Sequence, residues 1–230
     1  MTIRHDTLVE GNCLSFKGGF FGFSAIVLVV VEGQGPILFD TGHHSTRSLL
    51  LEALAKRGLE PSDIKTVFLS HLHFDHVNNV DLFPGAAIYV SAAEWAYAHN
   101  PSEGDVFCSV GMNHYLAQQD LRLLDDTQGE LFPGLHYRAA PGHTPGGYLL
   151  HYTKSTGERV VLAGDACKTY REMATLKVAN EFDPLQRSTE TLQWIADNAD
   201  IVVPGHFPEL YRSPGGWVWD EPSRLELIVR

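Results

Sequence analysis

Four apolar runs in this chain each lead into a histidine or an aspartate. "TVFLS" runs into His71, "LHYRAAPG" into His143, "RVVLAG" into Asp165 and "IVVPG" into His206. Their length and their Val, Ile and Leu content predict β-strands. A rigid sheet can preorganise the side chains of a multi-ligand site, and its strand ends are where such side chains can meet. Glycine directly precedes His143, Asp165 and His206, which permits a tight turn and the close approach of another element.

The first run carries the densest set. "SHLHFDH" places His71, His73, Asp75 and His76 within six residues. Residues two apart in an extended segment point the same way, so His71 and His73 can grip one ion. A helical turn after His73 would re-aim Asp75 and His76 toward a second position. With His143, Asp165 and His206, the set offers five imidazoles and two carboxylates, which suits two divalent metal ions. Zn²⁺ leads, with manganese or iron as the other candidates.

Around these residues the chain alternates strand and helix. "SAIVLVVVEG" and "GPILFDTG" read as strands, and "STRSLLLEALAKRGL" as a helix with Ser45 as N-cap. "AAIYV" is a strand, and "SAAEWAYAH" a helix capped by Ser91 with Glu94 three residues on. Residues 100–119 read as irregular. "LHYRAA", "GYLLHYT", "RVVLAGD" and "IVVPGH" are strands, and "DPLQRSTETLQWIADNA" is a helix with Pro184 in its first turn. Strands followed by helix, strand and helix, given twice, predict two β-sheets packed face to face with helices outside, each half supplying one sheet.

Composition bounds the partners. The 230 residues fit a single domain, 1–230, and 44% hydrophobic with 20% charged residues is ordinary for a soluble globular chain. A net charge of −11 without a basic stripe disfavours nucleic acid. No apolar run reaches membrane-spanning length, and the first residues lack a secretory apolar stretch. Three widely spaced cysteines without a CxxC pair fit a reducing compartment. The expectation is a cytoplasmic protein with a small-molecule substrate, no nucleic acid or membrane partner, and a homodimer as the candidate assembly.

The ordered series HxHxDH, PGHTPG, GD and PGH, preceded by "LFDTG", resembles the metallo-β-lactamase superfamily from about Ile37 to His206. That resemblance implies an α+β fold, a four-layer αβ/βα sandwich of two mixed, mostly antiparallel sheets with helices outside. It also implies a dinuclear site in a cleft at one edge. His71, His73 and His143 would bind one metal, Asp75, His76 and His206 the other, and Asp165 would bridge them. Asp40 would hold a ligand or the loop in place. The implied reaction is hydrolysis by a metal-bridging hydroxide attacking a carbonyl, with Asp75 shuttling a proton.

The resemblance narrows to lactonase-like and glyoxalase II-like branches, with departures from both. Lys168 stands where the lactonases carry tyrosine, three residues after the bridging aspartate, and Gly147 where both branches tend to carry histidine. A small ester, a lactone of the N-acyl-homoserine type, or a thioester is the expected substrate, and Lys168 could orient a carboxylate or oxyanion. The alternatives are an iron-dependent oxidoreductase of the same fold, a minor phosphodiesterase or nuclease activity, and a non-catalytic binding protein. "FKGGFFGF" could cover the site or pack under the sheet or in an interface. Cys167 reads as a small buried residue, and "GGWVWDEP" as a core cap or an interface.

Overall fold

In the computed structural model, which describes residues 2–220, each half of the chain does supply one sheet. The first half gives β1 (Ile3–Val9), a short hairpin of β2 (Ser15–Phe16) and β3 (Gly19–Phe20), then β4 (Ile26–Val31), β5 (Pro36–Phe39), β6 (Thr66–Phe68), β7 (Ala87–Ser91) and β8 (Asp120–Leu124). Apart from the hairpin these form one sheet in the order β1-β4-β5-β6-β7-β8. The second half gives β9 (Gln128–Phe132), β10 (Leu135–Ala139), β11 (Tyr148–Thr153), β12 (Arg159–Gly164), β13 (Ile201–Pro204), β14 (Leu210–Ser213) and β15 (Gly216–Trp219). Their order is β15-β14-β13-β12-β11-β10-β9.

Three apolar layers hold the sheets and helices together. Between the sheets, Val27, Val29, Val31, Phe39 and Phe68 meet Tyr137, Tyr148, Leu150, Val160, Leu162 and Val203. The alternate residues of the same strands, Ile26, Leu28, Leu38 and Val67, face outward to Leu50 and Leu54 of α1 (Arg47–Ala55). This is why the "AIVLVVV" run is continuous rather than alternating: both of its faces are buried. On the far side, Leu149, Val161 and Val202 pack against Met173 of α5 (Tyr170–Thr175) and Leu192 and Ile195 of α6 (Ser188–Asn198). The result is the expected four-layer αβ/βα sandwich. Phe68 is fully buried in the central layer, and truncating such a residue to alanine costs about 3–5 kcal/mol.

Several details differ from the sequence reading. Ser45 does not cap α1; it lies in a one-turn 3-10 helix, His44–Thr46, and His43 caps that turn by accepting the Ser45 N–H at Nδ1. Ser91 does cap α3 (Ala92–His99), but the Glu94 carboxylate turns inward and accepts the Leu72 N–H. The region read as irregular contains α4 (Val110–Leu116), capped by Ser109. Pro184 stands outside α6, because Gln186 takes a left-handed φ of 53° and the helix starts at Ser188. The pair of tryptophans in "GGWVWDEP" lies on edge strand β15, where Trp219 packs on Tyr170 and Phe207. Residue 1 of the expected domain and residues 221–230, with Glu221 and Pro222 of that motif, lie outside the described residues. Among the described residues, no helix is long and apolar enough to cross a membrane.

Candidate metal centre

Strand pairing brings the strand-end residues into one place. β5 and β6 run parallel, so Asp40 emerges beside the residues that follow Phe68. β12 and β13 run parallel, with Gly164 opposite Pro204, so Asp165 and His206 leave the second sheet side by side. The Tyr148 N–H donates to the Ser70 carbonyl at 2.8 Å and ties the two sheets together behind the cluster. After His73 the chain turns into α2 (Phe74–Val77), which carries Asp75 and His76 and brings the His76 ring within 4.1 Å of that of His71.

All seven residues predicted as ligands are buried and converge. Nδ1 of His73 and Nε2 of His143 are 3.0 Å apart, and one ligand atom each of His71, His73 and His143 falls within 4.8 Å of the others. Asp75, His76 and His206 form a second such group. Asp165 stands between them. Its Oδ2 is 3.2 Å from His143 Nε2 and 3.9 Å from His71 Nε2, whereas its Oδ1 is 3.2 Å from Nε2 of both His76 and His206.

Each histidine turns one ring nitrogen to this centre and is held at the other. His71 Nδ1 meets the Ser70 hydroxyl at 3.0 Å, and His76 Nδ1 meets Asp40 Oδ2 at 2.8 Å. His143 Nδ1 faces the Asn180 carbonyl at 3.1 Å, and His206 Nδ1 the Asn12 carbonyl at 3.2 Å. His73 is reversed: its Nδ1 faces the centre and its Nε2 meets Asp105 Oδ2 at 2.9 Å. Asp40, expected to hold a ligand or the loop in place, also accepts the Ser70 N–H and hydroxyl. Asp105, Asn12 and Asn180 were not read from the sequence. Two of these hold their histidine through backbone carbonyls, which leave no residue-type signal.

The donor set fits cations. Nε2 of His71, His76 and His206 and Oδ1 of Asp165 are buried without a hydrogen-bond partner among the described residues. Each such atom costs about 1–3 kcal/mol unless something binds it. Burial, reinforced by His76 and His73, pulls His71 well below the ordinary imidazole range. Burial and the Lys168 ammonium take His143 down to about 3, so both rings present the neutral, metal-binding form. Burial also opposes charge on His206, but Asp165 and then Asp75 outweigh it and raise it to about 9. His76 moves up for the same reason. A divalent ion bound here would supply the positive charge that these carboxylates call for.

A cleft of about 180 Å³ opens onto the cluster beside His73, Asp75 and His206. Phe20, Phe74 and Phe107 form its apolar wall, and Lys168 and Asn180 are among its polar lining. The "FKGGFFGF" segment therefore borders the cleft through Phe20 and Gly22, with the Phe20 ring 5.9 Å from Phe74 and 6.3 Å from Phe107. Lys168 Nζ is 2.9 Å from Asp165 Oδ2. His43 contacts Phe74 edge-on while His44 is exposed, so one of the adjacent pair approaches the cleft wall. Cys167 is fully buried behind the site.

The sequence profile of the Metallo-beta-lactamase superfamily matches residues 19–206. The chain belongs to the metallo-beta-lactamase superfamily. Among curated members, it is 37% identical over 184 residues to human Metallo-beta-lactamase domain-containing protein 1, covering 76% of this chain and 59% of that one. It is 33% identical over 161 residues to an N-acyl homoserine lactonase from a Bacillus species, covering 59% and 61% of the two chains. Among superfamily structures, AidC, a dizinc quorum-quenching lactonase, superimposes with a TM-score of 0.67 at 22% identity, covering 98% of this chain and 93% of that one. The chain spans 59–62% of the length of the mammalian relatives it matches. It is thus a member of a metallo-hydrolase superfamily that includes lactonases.

Proposed function

We propose that this chain is a dinuclear metal-dependent hydrolase of a small ester, lactone or thioester. The observation that carries this reading is Asp165, whose two oxygens face two different histidine groups. His71, His73 and His143 would hold one ion, Asp75, His76 and His206 the other, and Asp165 both. Two divalent ions, zinc first among the candidates, would supply an acidified water and the polarisation of a carbonyl.

The chain's own groups divide the remaining work. Asp75 is 12% exposed at the cleft floor, with Oδ2 3.3 Å from His206 Nε2. On this reading it would carry a proton between the attacking water and the leaving atom. The Lys168 ammonium, at the same floor, would orient an oxyanion or a carboxylate of the substrate. Phe20, Phe74 and Phe107 exclude water on one side and favour an apolar substituent. The lactonase relatives support the carbonyl chemistry, and the lysine replacing tyrosine argues for a substrate of different shape or charge.

The test is hydrolysis of a panel of acyl-homoserine lactones, aryl esters and glutathione thioesters, with metal content measured on the same preparation. The expected result is two zinc ions per chain with turnover of one class. Bound iron together with oxygen uptake would replace this reading with oxidative chemistry.

A further inference from the structure

We propose that Asp105 is a positioning residue for His73 and sets the affinity of the ion held by His71, His73 and His143. The inference rests on the two-ion reading above and goes beyond it, because Asp105 lies outside every motif of the resemblance.

His73 differs from the other four histidines of the centre in presenting Nδ1 rather than Nε2. Nδ1 sits next to the side-chain stem, so rotation about the Cβ–Cγ bond swings the outer Nε2 through a wide arc. A partner at Nε2 therefore fixes the plane of the ring. It also fixes the tautomer: a proton on Nε2, donated to a carboxylate, leaves the Nδ1 lone pair free for an ion.

Asp105 is built to be that partner. Its side chain is completely buried and Oδ2 lies 2.9 Å from His73 Nε2. The Tyr97 hydroxyl, from α3, donates to the same oxygen at 2.6 Å, and the Phe107 N–H donates to Oδ1 at 3.0 Å. The chain that follows it is stitched to the ligand segment: the Phe74 N–H donates to the Phe107 carbonyl, and His73 pairs with Cys108. Asp105 does not reach the centre itself; it acts through the ring.

The arrangement mirrors that of Asp40. His71, His143 and His206 are backed by a hydroxyl or by carbonyls, whereas His76 is backed by Asp40 and His73 by Asp105. Each of the two groups joined by Asp165 thus contains one histidine backed by a carboxylate. A charge-assisted bond of this kind strengthens the basicity of the ring it holds.

The experiment is zinc competition against a chromophoric chelator, with cobalt-substituted spectra as a second readout, on the full chain carrying Asp105→Asn or Asp105→Ala. Asparagine keeps the shape but can turn an N–H toward Nε2, which drives the ring proton onto Nδ1, the ligand atom. The expected result is a roughly 10–100-fold weaker affinity for one ion of the two and a changed cobalt band for that ion, in variants whose metal-free form still unfolds cooperatively, with asparagine destabilised less than alanine because it can still accept from Tyr97 or Phe107. A folded variant that binds both ions with wild-type affinity overturns the inference and leaves the proposed function standing. A wild-type protein that binds no divalent ion overturns both.

Discussion

Asp40 and His76 are joined by a 2.8 Å hydrogen bond from Nδ1 to Oδ2 across 36 residues of sequence. Asp40 adopts a left-handed φ of 59°, a conformation that aspartate tolerates better than most residues, and this turns its carboxylate back onto Ser70 and His76. Asp40→Ala is expected to weaken the ion at the Asp75, His76 and His206 group by about 10–100-fold. Metal analysis after dialysis against graded free zinc, compared with wild type, checks this.

Lys168 is expected to select substrates by charge. Losing a charged hydrogen bond to a substrate carboxylate costs about 1.5–3 kcal/mol, or about 10–100-fold in kcat/KM. Lys168→Met should therefore penalise carboxylate-bearing esters or thioesters by that factor and leave neutral analogues nearly unchanged. Paired kinetics on an acid and its amide or methyl ester measure the difference. An equal loss on both would assign Lys168 to the reaction's oxyanion or to Asp165 rather than to a substrate carboxylate.

Gly205, directly after β13, packs against Asp165 and the Gly164 backbone. A Cβ there would lie 2.1 Å from Asp165 Oδ1 and 2.9 Å from the Gly164 backbone, so either the carboxylate or the strand must move. Gly205→Ala is expected to lose bound metal and, as an overpacked site, about 1–3 kcal/mol of stability. Metal content and thermal unfolding of the chelated protein separate the two effects.

His71, His143, Asp165 and His206 were legible because each stands where a strand-length apolar run gives way to His or Asp, and His73, Asp75 and His76 because they crowd behind the first of them. Both sheets and the packing of helices outside them followed from the same alternation. What lay hidden has physical reasons. Asp105 sits in a segment without apolar periodicity, and it is fixed by Tyr97 and His73 through contacts that only the fold creates. Asn12 and Asn180 act through carbonyls that any residue carries. The strands β8, β9, β14 and β15 are short and partly exposed, so their side chains do not spell a buried run. The cap at Ser109 was the available signal for α4, and its seven residues were too few to establish a helical period.

His151 gives the fold an acid-side weakness remote from the cluster. Burial, together with His136 and Arg138, lowers it to about 4, below its ordinary value of 6.5. The unfolded chain therefore binds this proton first, and the stability is full above pH 6.5 and falls as pH drops toward 4. His151→Gln, measured by thermal unfolding in chelator, is expected to lose less melting temperature than wild type between pH 7 and pH 4.5. Equal losses would show that other groups govern the acid limb.

The division of the chain into one sheet per half has a consequence for how the molecule could be taken apart. His71, His73, Asp75 and His76 belong to the half that ends at β8, and His143, Asp165 and His206 to the half that begins at β9, with residues 125–127 between them. On the two-ion reading, neither half carries a complete coordination set. Severing the chain at that short turn would leave two fragments whose reunion depends on zinc as well as on the apolar layer between the sheets. The metal would then act as a second fastener beside the apolar layer, and chelation would weaken the hold of one fragment on the other.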